Sequence, residues 1–152
     1  MRPVVSVAIL IAFVIQVSGQ QTPRLSVEAW SSTNGPYGEL WHLSIQADGS
    51  AEVTGSSGLG SGSRERHFKI SSAERDAILK AAGEAQFFAL PEFVGPSVVP
   101  IHGPDNTLEI ELNGRAHKVF LNEPASAKGP QVERFRRVWR AVVEKSPLKP
   151  PL

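Results

Sequence analysis

Apolar and polar side chains alternate along the segment from residue 40 to residue 46, which is the pattern of a strand with one buried face. Trp41, Leu43 and Ile45 occupy one face, and the residues between them are polar. Similar patterns predict further strands elsewhere in the chain. The predicted strands are 25–30, 40–46, the segment after Gly49, 64–70, 107–112 and 115–121.

The turn after residue 46 sets the register of the first hairpin. A three-residue loop over 47–49 puts Ile45 opposite Ala51, so that the apolar face continues across both strands. A two-residue loop over 48–49 would put Ile45 opposite Glu52 instead. Because a one-residue slip exposes a whole apolar face, we expect the three-residue loop, with its glycine in the left-handed conformation.

A second hairpin is indicated by Asn113-Gly114, since Asn-Gly is the strongest signal for a two-residue turn. The pairs that this turn predicts are Leu108–Val119, Ile110–His117 and Glu109–Lys118. The last of these joins opposite charges across the polar face, which stabilises the pairing of the two strands.

Two amphipathic helices are predicted from apolar residues spaced three and four apart. The first begins at the capping box Ser71–Glu74 and is expected to end near residues 87–88. Its predicted buried stripe consists of Ile78, Ala81, Ala82, Ala85 and Phe88. The second runs from about Gln131 to Lys145. Its stripe consists of Val132, Phe135, Val138, Trp139 and Val142.

The order of these elements predicts an α+β fold. Consecutive hairpins favour an antiparallel sheet of five to six strands, and the two helices would cover one face in a two-layer arrangement. We expect a single domain over residues 20–146, followed by a loose proline-rich tail at 147–152.

The first 19 residues have the pattern of a secretory signal peptide. One arginine precedes an apolar stretch, and small residues at 18–19 end it. The stretch is shorter than the roughly 20 residues of a membrane-spanning helix. We therefore expect export to the periplasm or the extracellular space, with the mature chain beginning at Gln20. The alternative is an N-terminal segment that stays uncleaved and anchors the protein to the membrane.

Composition excludes several classes of protein. The chain has 152 residues with a formal net charge of +1, which argues against a general nucleic-acid binder. It has no cysteine, which excludes thiol catalysis, thiolate metal sites and iron–sulfur clusters. The stability of an exported domain without disulfides must come from packing.

The side chains that could act in catalysis or bind a metal do not form a recognisable catalytic or metal-binding motif. The four histidines have none of the usual metal-ligand spacings, and the Gly/Ser-rich segment 55–63 lacks the lysine of a phosphate-binding loop. We predict no metal and no cofactor. His102 and Asp105 are the best candidates for a ligand or catalytic role, because they lie in the long loop 91–106.

The C-terminal helix carries the main charge asymmetry of the chain. Its arginines are Arg134, Arg136, Arg137 and Arg140. Arg136 and Arg140 are four residues apart and are expected to project from one exposed side. They are candidates for binding an anionic surface, such as lipid or cell-wall polymer, or an acidic protein. The alternative is an ordinary solvated helix face, which is favoured because arginines routinely cover apolar surface with their stems.

Several motifs resemble those of small exported bacterial domains from families of unknown function. They are Gly35-Pro36-Tyr37 leading into 43–49, Ile70-Ser71-Ser72 with 87–91, and 108–119 around Asn113-Gly114. The resemblance implies a similar fold and no particular activity, because each motif is a turn or a cap. Some of those domains place cysteines before the first hairpin, and any function that depends on them does not carry over.

Together these observations favour an exported, non-enzymatic domain that binds a partner outside the cytoplasm or belongs to an envelope assembly. The alternative is a small hydrolase with a site near the loop 91–106, built around His102 and Asp105. Neither the substrate nor the partner can be derived from the sequence.

Overall fold

The computed structural model describes residues 23–33, 38–56, 62–96 and 105–151. These described residues form seven strands, two α-helices and a one-turn 3₁₀ helix at Phe87–Ala89. The strands are β1 (Leu25–Ser32), β2 (Leu40–Ile45), β3 (Ser50–Ser56), β4 (Arg64–Lys69), β5 (Phe93–Val94), β6 (Asp105–Leu112) and β7 (Arg115–Asn122). The helices are α1 (Ser72–Glu84) and α2 (Pro130–Val143).

The strands form one sheet in the order β4-β3-β2-β1-β6-β7-β5. All neighbours are antiparallel except β5, which runs parallel to β7. The α+β class is confirmed. The sheet differs in detail from the predicted antiparallel sheet of about five to six strands, because it has a seventh strand that runs parallel to its neighbour. The missed strand, β5, has two residues within a proline-rich segment, and two residues are too few to show an alternating pattern.

The first hairpin has the predicted register. Ile45 pairs with Ala51, and Gly49 has a φ of +85°. An added Cβ at Gly49 would lie 2.7 Å from the carbonyl oxygen of Ile70, so a side chain is excluded there by space as well as by backbone conformation.

The second hairpin is also confirmed. Asn113 and Gly114 both have positive φ, at 52° and 84°, as a type I′ turn requires. The Nζ of Lys118 lies 2.7 Å from the Oε2 of Glu109, so the predicted charge pair forms. The half-buried His117 donates from Nε2 to the carbonyl oxygen of Leu90 at 2.9 Å, which fixes this imidazole beside the core.

Helix α1 begins at the predicted capping box. The hydroxyl of Ser71 accepts from the backbone N–H of Glu74, and the carboxylate of Glu74 accepts from the backbone N–H and the hydroxyl of Ser71. These two hydrogen bonds to the carboxylate, the backbone one first, lower the pKa of Glu74 below its usual value.

The predicted stripe of α1 is wrong at its C-terminal end. The helix stops at Glu84, and Gln86 adopts the left-handed conformation with a φ of 49°. This break ends the helical periodicity, so Phe87 is the fully buried ring and Phe88 is only partly buried.

Helix α2 packs beside α1 over one face of the sheet. Four of its five predicted stripe residues, Val132, Phe135, Val138 and Val142, are buried in the same cluster as the inward side chains of the strands, and the fifth, Trp139, is partly buried against that cluster. Those inward strand residues include Leu25, Val27, Leu43, Ile45, Val53, Leu108, Ile110, Val119 and Leu121. The result is a two-layer domain with one hydrophobic core, in which the opposite face of the sheet carries the polar positions of each strand.

The C-terminal tail is packed, contrary to the prediction that it is loose. The indole Nε1 of Trp41 donates to the carbonyl oxygen of Leu148 at 2.9 Å, and Ser146 is 2% exposed. Lys149 donates from Nζ to the carbonyl oxygens of Val143 and Ser146 at the end of α2. The tail therefore closes the end of the core beside Trp41, a contact between residues too distant in sequence for a local pattern to reveal.

The predicted signal peptide at residues 1–19 lies outside the described residues. Among the helices that are described, none is long and apolar enough to cross a membrane.

Candidate functional site

The open face of the sheet is defined here as the face that the helices leave uncovered. The register places one residue from each of the seven strands in a row across it. From β5 to β4 the row is Phe93, Phe120, Thr107, Trp30, His42, Thr54 and Glu65. Aromatic side chains on solvated strand positions are typical of interaction surfaces, so this row is the leading candidate for a functional site.

Trp30 stands at the centre of the row, and two side chains lie against its ring. The imidazole of His42 stacks on one side, with ring centroids 5.1 Å apart and an interplanar angle of 7°. The Nζ of Lys118 lies 5.1 Å from the centroid of the Trp30 ring, in cation–π range. These two contacts restrict the orientation of the indole on the open face.

A polar network of Glu28 and Ser44 holds His42 in place. The Oε2 of Glu28 lies 2.7 Å from the Nε2 of His42, and the Oε1 of Glu28 accepts from the hydroxyl of Ser44 at 2.6 Å. The carboxylate thus lies between the serine and the histidine. A nucleophilic triad needs the histidine in the middle, where it can take the proton of the serine. The arrangement therefore positions His42 and does not activate Ser44.

Two exposed apolar side chains lie on this face, on strands near its opposite edges. Phe93 is 63% exposed and stacks on Phe120, with centroids 5.1 Å apart. Leu40, at the start of β2, is 59% exposed. Phe93 and Phe120 lie on neighbouring strands and form a larger apolar surface than an isolated exposed residue does, whereas β1 and β6 separate them from Leu40, which stands apart.

The open face is acidic. Its carboxylates, assigned by the strand register, are Glu28, Glu52, Glu65, Asp105, Glu109 and Glu111, and its lysines are Lys69 and Lys118. The side chains of Glu109 and Lys118 neutralise each other locally, so the remaining charge is predominantly negative. A near-neutral chain therefore has an acidic surface that its net charge conceals.

A hollow of about 300 Å³ opens beside Trp30 and His42. Leu40 forms one wall, and the other lining residues on this face carry hydroxyl groups. Those hydroxyl-bearing residues are Ser32, Thr54, Ser56 and Ser63. A hollow of about 420 Å³ adjoins it at the ends of β2 and β3, where Arg64, Leu148 and Lys149 contribute to the lining. The first is large enough to hold a side chain of a partner.

Asp105 lies on the open face, at the first position of β6. Its Oδ1 accepts from the hydroxyl of Ser32 at 3.2 Å. His102 lies outside the described residues, so its proposed partnership with Asp105 stays a prediction. The two hollows described above are lined by residues of β1–β4 and the tail and not by Asp105.

The prediction that Arg136 and Arg140 project together from an exposed side is wrong for Arg136. Its guanidinium donates to the carbonyl oxygens of Pro124 and Ala127, at 2.7 and 2.8 Å, and to the carboxylate of Glu133 at 2.6 Å. Arg140 is exposed. The segment after β7 folds back beside α2, and its carbonyl groups accept hydrogen bonds from Arg136. The helical spacing alone could not indicate these contacts.

Arg134 is also held by backbone carbonyls. It donates from Nε to the carbonyl oxygen of Ala85 at 2.6 Å and from Nη2 to that of Gln86 at 2.8 Å. These acceptors lie just after α1, where a helix leaves carbonyls unsatisfied. Two of the four arginines of α2 therefore join parts of the fold, and the cationic surface available to a partner is smaller than the sequence indicates.

A second group of titratable side chains lies where β3 meets β4. Glu52, Glu65 and His67 bring carboxylate and imidazole atoms within 4.8 Å of one another, and all three residues are exposed. The Nε2 of His67 lies 2.6 Å from the Oε1 of Glu65, and this ion pair or hydrogen bond accounts for their approach. Glu65 and His67 are two residues apart on β4, and the pairing of β3 with β4 adds Glu52, which ligand spacing within the sequence could not indicate.

No family model matches the chain, and no curated protein matches its sequence. The resemblance to small exported bacterial domains therefore stays a prediction. Sequence reasoning also missed Trp30, Phe120 and Phe93 as members of a common surface. A signal for Trp30 was present, because the alternation over 25–30 places it on the polar face with Glu28.

Proposed function

We propose that the protein is an exported, non-enzymatic binding domain and that the open face of the sheet is its recognition surface. The observation that supports this most directly is the row of aromatic side chains on the uncovered face, with Phe93 63% exposed at one edge. Such side chains supply most of the binding free energy at protein interfaces, because a partner removes a large apolar area from water when it covers them.

The polar network beneath the row supports binding rather than catalysis. Glu28 holds both His42 and Ser44, so the histidine is oriented and the serine keeps its proton. The ring of Trp30 contacts both His42 and Lys118, which restrict its orientation. A surface held in one conformation loses little side-chain entropy when a partner binds, which increases affinity.

The negative charge of the open face indicates the class of partner that it favours. An excess of carboxylates over lysines favours a protein segment that carries arginine or lysine. The hollow beside Trp30, with Leu40 on one wall, favours apolar side chains next to those cations. We therefore propose a cationic, partly apolar protein segment as the ligand.

Short labelled peptides that alternate leucine with arginine test this proposal by fluorescence anisotropy. The expected result is saturable binding that weakens with added salt, because the charges are exposed and screened. A peptide of the same length that alternates leucine with glutamate should bind at least roughly tenfold more weakly.

Variants locate the binding on the molecule. The double substitution Phe93→Ser and Phe120→Ser should weaken binding of the leucine–arginine peptide by roughly tenfold or more, a loss typical of interface hot spots. Arg140→Gln is the matched control, because Arg140 is exposed on the helical layer. Equal binding of the two peptides, or equal binding by the wild type and the double variant, would refute the proposed surface.

A further inference from the structure

Strand β4 is the first strand of the sheet, and among the described residues only β3 pairs with it. Its residues 64–67 and 69 are exposed. An edge of this kind presents unpaired N–H and C=O groups, which can pair with another strand.

The direction of the backbone groups in β4 follows from one hydrogen bond. The N–H of Ile70 donates to the carbonyl oxygen of Gly49 at 2.9 Å, so the backbone groups of Ile70 face β3. Because these groups alternate in direction along a strand, those of residues 64, 66 and 68 also face β3. The N–H and C=O groups of Glu65, His67 and Lys69 therefore point outward. The carbonyl oxygen of Glu65 accepts from the guanidinium of Arg66 at 2.9 Å, an exposed contact that a backbone N–H of a partner strand would replace.

We propose that a second copy of this chain pairs with β4 along this edge, antiparallel and centred on His67. In this register Glu65 lies opposite Lys69 of the partner subunit, and by symmetry the same pair forms a second time. His67 lies opposite His67 of the partner subunit. All three outward residues then exchange backbone hydrogen bonds with the partner, and each carboxylate faces an ammonium group.

Other registers are less favourable. If the register shifts by one residue, each outward residue lies opposite a residue of the partner subunit whose N–H and C=O already bond to β3. A shift by two residues keeps only two of the three outward residues paired within Arg64–Lys69 and separates Glu65 from Lys69 of the partner subunit. The charges and the backbone therefore favour the same register.

The opposite face of β4 is compatible with this pairing. Arg66 would lie opposite Phe68 of the partner subunit, where its stem can cover the ring. Phe68 already packs partly against the core. The joined sheets would place two copies of the open face side by side. This inference rests on the edge of β4 and not on the proposed ligand of the open face.

Sedimentation of the purified wild type and of charge-reversed variants tests whether two copies associate through β4. The wild type should associate to a dimer as its concentration rises. Glu65→Lys or Lys69→Glu alone places like charges opposite each other and should weaken association by roughly tenfold or more. The double variant, Glu65→Lys with Lys69→Glu, again places opposite charges in both pairs and should associate as the wild type does. Within one copy the two residues lie roughly 13 Å apart along the strand, so the recovery would report contact between copies.

Amide hydrogen exchange distinguishes this edge from other modes of association. The amides of Glu65, His67 and Lys69 should become protected as the protein associates, whereas those of Arg66 and Phe68 should be protected at all concentrations. A protein that stays monomeric at about 1 mM would refute the inference. So would a dimer that is insensitive to the reversals, which would be joined by another surface.

Discussion

Arg136 and Arg140 differ in their surroundings although both were expected to project into solvent. Arg136 is half-buried and joins α2 to the segment between β7 and α2 through the carbonyl oxygens of Pro124 and Ala127. Its guanidinium satisfies carbonyls that would otherwise need water, and it is planar, so it reaches both at once. Its role in the described structure is therefore to hold the fold together.

Substitution of the two arginines separately should reveal this difference. Arg136→Gln should lower the free energy of unfolding by about 1–3 kcal/mol, because it leaves carbonyl groups without their donor. Arg140→Gln, the control, should change it by less than about 0.5 kcal/mol, as exposed substitutions usually do. Urea titration measures both. Equal midpoints for the two variants would mean that the carbonyl contacts of Arg136 do not stabilise the protein.

At the scale of elements, local signals fixed the hairpins and the start of α1. The Asn113-Gly114 turn and the Ser71–Glu74 capping box formed as predicted, since each depends on residues that are neighbours in the chain. The end of α1 was predicted near residues 87–88 but lies at Glu84, because Gln86 takes a left-handed conformation that its sequence does not require. Phe87 therefore enters the core where Phe88 was expected.

The capping box makes a prediction about acid stability. The pKa of Glu74 is lowered in the folded state by its hydrogen bonds from Ser71, first from the backbone and then from the hydroxyl. In the unfolded chain the carboxyl has its ordinary pKa of about 4.3. The stabilisation is therefore present above that value and is lost as the pH falls through the lower folded pKa.

Glu74→Gln should remove this part of the pH dependence, because glutamine keeps the capping geometry without the charge. Between about pH 5 and pH 3 the urea midpoint of the wild type should fall more steeply than that of the variant. Parallel curves over this range would show that the capping carboxylate does not contribute to acid unfolding.

At the scale of the whole molecule, the prediction of export rests on the sequence alone. The N-terminal segment predicts that the mature chain starts at Gln20, after a signal of 19 residues. N-terminal sequencing of the protein recovered outside the cytoplasm should give Gln20 as the first residue. Recovery of the intact chain in the membrane fraction, beginning at Met1, would instead support the uncleaved anchor.

The sequence by itself determined the α+β class, both hairpin registers and four of the five residues of the buried stripe of α2. Each follows from alternation or helical spacing within a few residues, and the free energy of burying one continuous apolar face decides between neighbouring registers. The same local signals could not reveal β5, because two residues carry no periodicity.

Only the tertiary structure decided which distant residues share a surface. The order of the strands brought Trp30, His42 and Phe120 into one row, and the packing of the tail brought Leu148 to Trp41. It also turned Arg136 from a surface charge into a link between a helix and a neighbouring segment. These contacts join residues far apart in the chain or depend on where a loop folds back. They arise when the elements pack together, and no local pattern of residues specifies them.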